Sequence, residues 1–125
     1  MPYVEILAPP LPAERRQKVA TAVTDGLCGA FSVGPETVTI YFLDIAPGAY
    51  AHAGAMGALP EEQRVLVKVH AYRRGVPERR RAAAITGPLA EIYGITAKAL
   101  AVYFLDRARD EVAHAGLLSS DAEPA

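Results

Sequence analysis

Tyr41-Phe42-Leu43-Asp44 returns as Tyr103-Phe104-Leu105-Asp106, and Ala51-His52-Ala53-Gly54 returns as Ala113-His114-Ala115-Gly116, both 62 positions later. Two tetrapeptides recurring at one offset mark an internal duplication. The same displacement carries Val23 to Ile85, Leu27 to Leu89, Phe31 to Tyr93 and Val33 to Ile95, so the match runs back through the preceding segment. Nearer the start, Glu14-Arg15-Arg16 resembles Glu78-Arg79-Arg80 at a displacement of 64, which places a small insertion or deletion between the units.

Each unit reads as strand, helix, strand. Residues 3–8 are an apolar run closed by Pro9 and Pro10, the pattern of a strand ending in a turn. Residues 13–30 carry Val19, Ala20, Val23 and Leu27 at helical spacing with charged residues between, and Gly34-Pro35 follows as a stop. Residues 38–43 are β-branched and aromatic and predict a second strand. In the second unit, residues 64–70 alternate valine with longer or polar side chains. Pro77 suits the first turn of a helix, and residues 82–92 continue it until Gly94, with Gly87-Pro88 as an expected bend or break. Residues 99–105 close the pattern as a strand, 46–62 read as an Ala/Gly/Pro-rich linker with a short hairpin, and 117–125 read as a frayed polar tail. The expected fold is α/β (α+β): two tandem βαβ units, about 2–57 and 64–118, forming one domain with a four-stranded sheet and both helices on one face. The uncovered sheet face then predicts self-association, because strands this apolar would leave a large exposed surface.

Composition narrows the function classes. The 125 residues suit a single domain, and a net charge of −1 argues against a nucleic-acid or polyanion partner. Cys28 is the only cysteine, so no internal disulfide is available and a reducing, cytoplasmic setting is expected. No apolar stretch is long enough to cross a bilayer, and no membrane partner is expected. No phosphate loop or dinucleotide fingerprint appears, and His52 and His114 have no metal-ligand spacing around them, so no cofactor is implied.

Pro2 follows Met1 and heads the first strand. Removal of the methionine would leave a secondary amine there, and an α-amino group titrates near ~8, low enough for burial or nearby cations to make it a base at neutral pH. The proline at this position, the βαβ unit of about 60 residues and the hairpin aromatic in Pro47-Gly48-Ala49-Tyr50 together resemble the tautomerase superfamily, in particular its members with two fused units. The resemblance covers essentially the whole chain. It implies a homotrimer without cofactor, in which the amino-terminal proline shuttles a proton in keto–enol isomerisation of a small 2-oxo or 2-hydroxy-dienoic acid. Dehalogenase- or decarboxylase-like members, which act as lyases or hydratases through a protonated proline, are the alternative, as is a member without chemistry.

Carried over residue by residue, Pro2 is the catalytic candidate. The arginine that many members place ten residues later is Pro12 here, whereas the displacement takes Pro12 to Arg74, with Arg73 beside it. A guanidinium holds a carboxylate with two parallel hydrogen bonds, so Arg73 or Arg74 is the expected anchor. Tyr50 matches the hairpin aromatic of the pocket, and the Tyr103 or Tyr41 hydroxyl is a further candidate for polarising a substrate oxygen. The resemblance has gaps. A strand arginine of the founding enzymes falls on Thr39, with Ala101 as its repeat partner, and Leu27 and Val76 stand where the dehalogenases carry histidine and a second arginine. Glu36 and Glu111 are the only acidic partners suggested for the hydratase reading. The element order also fits the ferredoxin-like fold, from which strand order distinguishes it: tautomerase units pair their own two strands as parallel neighbours.

Overall fold

The computed structural model describes residues 1–122. Its main sheet has the order β2-β1-β5-β6, where β1 is Tyr3–Ala8, β2 Thr39–Asp44, β5 Val65–Tyr72 and β6 Leu100–Arg107. Each unit pairs its own strands in parallel, β1 with β2 and β5 with β6. This order excludes the ferredoxin-like arrangement. The units meet through an antiparallel β1–β5 pair, with Val4 opposite Val69, Glu5 opposite Lys68 and Ile6 opposite Val67.

Period-2 alternation gives the sheet two unlike faces. Val4, Ile6, Val65, Val67 and Val69 are buried against the helices. The other face carries no helix and is mixed: Tyr41 and Tyr103 are exposed, while His70 Nε2 lies 2.6 Å from Glu5 Oε2. The expected uncovered surface is therefore present, but it is laced with charge.

Helix α1, Ala13–Phe31, has the predicted amphipathic stripe, and Val19, Val23 and Leu27 are fully buried. Full burial of such side chains is worth roughly 1.5–3 kcal/mol each. Ser32, in the left-handed region at φ 54°, ends the helix before Gly34-Pro35 is reached. The second unit's helix is split into α2, Val76–Ala82, and α3, Thr86–Tyr93, by a 3₁₀ turn over Ala83–Ile85. Pro88 explains the split: it lacks the N–H that would bond the carbonyl four residues back, and its ring crowds that carbonyl. The chain tightens one turn upstream and restarts so that Pro88 falls within the first turn of α3, where amide donors have no intrahelical partner in any case.

This split segment presses on α1. A Cβ added at Gly26 would lie 2.4 Å from Cγ2 of the buried Ile85. Gly26→Ala is therefore expected to destabilise the protein by about 1–3 kcal/mol, the usual range for overpacking, measured by denaturant unfolding.

The linker and the tail fold alike. Strands β3, Ala51–His52, and β4, Ala55–Met56, form a hairpin, and β7, Ala113–His114, and β8, Leu117–Leu118, form its copy. Both turn residues of each hairpin have positive φ: Ala53 and Gly54, then Ala115 and Gly116. This conformation is the one that matches strand twist in two-residue hairpins. Residues 117–122 are thus not the frayed tail expected from their polarity. After β8 the short helix α4, Ser119–Ala122, buries Ser119, whose Oγ accepts a 2.6 Å hydrogen bond from the Tyr72 hydroxyl. The last three residues of the expected tail lie outside the described residues. Alanine in the left-handed region costs roughly 1–2 kcal/mol, a cost asparagine largely avoids. Ala115→Asn is accordingly expected to raise stability by about 1 kcal/mol, read as a higher thermal midpoint.

Because β1 and β5 run antiparallel, the two units are related by an approximate twofold axis. The hairpin that follows β6 consequently lies at the head of β1, and the hairpin that follows β2 lies at the head of β5. The hydrogen bonds repeat this relation: Gly57 N–H donates to Tyr50 O and Ser119 N–H to Val112 O, both at 2.8 Å.

Candidate active site

Pro2 is buried at the head of β1, and its carbonyl accepts a 3.1 Å hydrogen bond from the Thr39 amide at the start of β2. This anchor fixes the end of the strand. A cavity of about 330 Å³ opens there, lined by Met1, Pro2, Tyr3, Thr37, Thr39, Tyr41, Val112 and His114. The volume lies at the low end of small-molecule sites. Tyr3 packs edge-on against Tyr41, with ring centroids 5.1 Å apart. Burial first, and then the Glu5 carboxylate and the Tyr41 phenol, push the Tyr3 hydroxyl above its ordinary range, which keeps it a neutral donor.

The electrostatics at this end favour an uncharged amine. Burial first, and the Arg74 guanidinium second, hold the amino group of Met1 below the ordinary value for a chain terminus. Both causes penalise the ammonium form. Arg74 is itself held in place: its Nη1 donates to the Tyr72 carbonyl at 2.9 Å, and its guanidinium lies 5.0 Å from the Phe31 ring centroid. Arg73 points elsewhere, with a largely exposed side chain 3.8 Å from Asp106 Oδ2, an oxygen already bonded by Arg79 at 2.9 Å. Of the two neighbouring arginines, Arg74 is the one whose charge reaches the amine.

Tyr50 and Tyr103 do not line this cavity. They line another one, of about 390 Å³, around Arg64, the residue that the 62-residue displacement pairs with Pro2. The approximate twofold explains the exchange: the hairpin of unit one covers the start of unit two, so Tyr50 faces Arg64 and its repeat partner Val112 faces Pro2. Tyr41, rather than Tyr103, is the strand tyrosine beside the proline, and His114 reaches the site for the same reason as Val112. The repeat already held this signal, since antiparallel packing of duplicated units swaps their hairpins. Among the described residues no carboxylate lines the Pro2 cavity. Glu111 instead accepts a 2.8 Å hydrogen bond from the Ala108 amide.

No protein-family model matches the sequence, and no curated protein matches it. Solved structures do. A native fused 4-OT superposes with a TM-score of 0.88 at 15% identity, covering 97% of this chain and 98% of that one. Pt0534, inactivated by 2-oxo-3-pentynoate, superposes with a TM-score of 0.87 at 22% identity, covering 98% and 100%. The chain has the fused tautomerase fold. A further fused 4-OT, described as a symmetric trimer, superposes at 0.86 with 18% identity over 98% of this chain and 100% of that one. The fused tautomerase fold accounts for the paired βαβ units and for the hairpins exchanged between them.

Proposed function

We propose that the chain, once Met1 is removed, is a cofactor-free tautomerase in which Pro2 is the general base and acid. The observation that carries this reading is the setting of the strand head: a buried proline, in a small cavity, where burial and Arg74 both disfavour a charged amine. In the reaction, the Pro2 nitrogen takes a proton α to the carbonyl of a small 2-oxo or 2-hydroxy-dienoic acid and returns it at another carbon. The proton removed is the proton restored, so no redox partner or metal is needed. Arg74 holds the substrate carboxylate, and Tyr3 or Tyr41 donates to the oxygen on which enolate charge develops.

A hydratase running through a protonated Pro2 would need a carboxylate to activate water, and none of the described residues supplies one to this cavity. Assembly as a homotrimer belongs to the same proposal, supported by the fused 4-OT trimers that share the fold. The test has two parts. Mass spectrometry of the purified protein should show Met1 absent, and the processed chain should accelerate ketonisation of phenylenolpyruvate or 2-hydroxymuconate. A fully processed protein inert toward both would overturn the assignment.

A further inference from the structure

The cavity at Arg64 occupies, in unit two, the place of the Pro2 cavity in unit one and shares its strand tyrosine, Tyr103 for Tyr41, yet its chemistry differs where Pro2 gives way to Arg64, Met1 to Gln63 and Val112 to Tyr50. Where Pro2 would offer an amine, the Arg64 nitrogen is a peptide amide that donates a 3.0 Å hydrogen bond to the Tyr50 hydroxyl oxygen. No proton acceptor exists at that atom. Three features make the space suited to a ligand. Two cationic side chains, Arg64 and Lys98, line it, with no acidic side chain among the described residues lining it. The Tyr50 oxygen already accepts from the Arg64 amide, so its own proton remains to be donated. Gln63, almost wholly buried, stands where the displacement places Met1, and its Oε1 finds no hydrogen-bond donor.

An orphaned buried acceptor of this kind costs about 1–3 kcal/mol, so it selects a ligand that brings a donor. Leu7, Leu66 and Ala101, with the Tyr103 ring, supply apolar walls. We infer that the Arg64 cavity is a second, non-catalytic binding site for a small apolar-bodied carboxylate that also carries a hydroxyl or N–H donor. Arg64 and Lys98 hold its carboxylate, and Gln63 Oε1 receives its donor. Such a site doubles the number of carboxylate sites per chain without doubling the number of catalytic ones. It does not rest on the isomerase reading, because binding here uses none of Pro2, Arg74 or the amino terminus.

Calorimetric titration tests the inference with benzoate and with 3- and 4-hydroxybenzoate as probes, on full-length protein carrying Arg74→Ala so that the cation acting on the amino-terminal end is removed. The expected result is one site per chain, with at least one hydroxybenzoate binding about 10-fold tighter than benzoate, the worth of one satisfied buried acceptor. Adding Arg64→Ala and Lys98→Ala, both at exposed positions that spare the core, should weaken binding by roughly 10- to 100-fold while gel filtration stays unchanged. Absence of binding to the Arg74→Ala protein, or affinity indifferent to the loss of both cations, would overturn the site. Equal affinity for benzoate and both hydroxybenzoates would overturn the role given to Gln63. Because no turnover is measured, an inactive but binding protein would sink the proposed isomerase while leaving this site standing.

Discussion

Capping Pro2 with one additional, uncleavable residue is expected to lower kcat/KM for ketonisation by roughly 10²–10⁴-fold, the usual worth of a positioned general acid–base. The change converts an amine into an amide, and the added residue stands where Met1 lines the cavity. Pro2→Ala is a milder lesion, since a primary amine remains, and should cost about 10²-fold at the low end of that range because the pyrrolidine ring no longer fixes the nitrogen's direction. The pH profile carries the same claim with a definite sign. The base works only when unprotonated, so kcat/KM must rise with pH through the amine's pKa and level off above it. Burial and Arg74 lower the amino group of Met1, and Pro2 lies deeper in the same corner. The midpoint of the ascending limb should therefore fall below the ordinary α-amino value. A midpoint at or above that value, or a capped chain with full activity, would remove Pro2 from the mechanism.

The repeat made most of the fold legible. Two copies of one βαβ pattern fixed the four strands, and the tyrosine-rich strand ends located them to within a residue or two. What pattern alone left open was long-range: whether β1 sits beside β2 or has another strand between them depends on which edges meet, and no local period encodes that. The tail was misread because Leu117–Ala122 has too few residues to show a period. Its order comes from contacts with distant partners, such as the Tyr72–Ser119 hydrogen bond. The site was legible in part for a similar reason. Pro2 and Arg74 stand out by position within each unit, whereas the choice of Val112 over Tyr50 as Pro2's neighbour follows only once the units are known to pack antiparallel. Gln63 gave no signal at all, since a glutamine in a polar turn reads as solvated.

Replacing Arg74 separates the two roles proposed for it. As the holder of a substrate carboxylate it supplies charge-assisted hydrogen bonds, worth about 1.5–3 kcal/mol, so Arg74→Ala should raise KM by roughly 10- to 150-fold. As a cation it lowers the amino group of Met1, and if it acts likewise on the Pro2 amine of the processed chain, the same substitution should also move the pH midpoint upward, toward the ordinary terminus value. Burial, the larger cause, remains, and the shift should accordingly be partial. Arg74→Lys divides these effects, because an ammonium keeps the positive charge but loses the planar fork that grips a carboxylate at two points. It should hold the pH midpoint near that of the unmodified protein while KM stays elevated. Arg73→Ala serves as the neighbouring control: that side chain is mostly exposed and directed at Asp106, so both readouts should barely move. Thermal unfolding of each variant shows whether loss of the Phe31 stacking, rather than loss of the ligand contact, is responsible, since a stability effect would not displace the pH midpoint. If Arg73→Ala proved the more damaging substitution, the anion would have to bind on the Asp106 side of the turn, and the cavity at Pro2 would no longer be the place where the carboxylate is held.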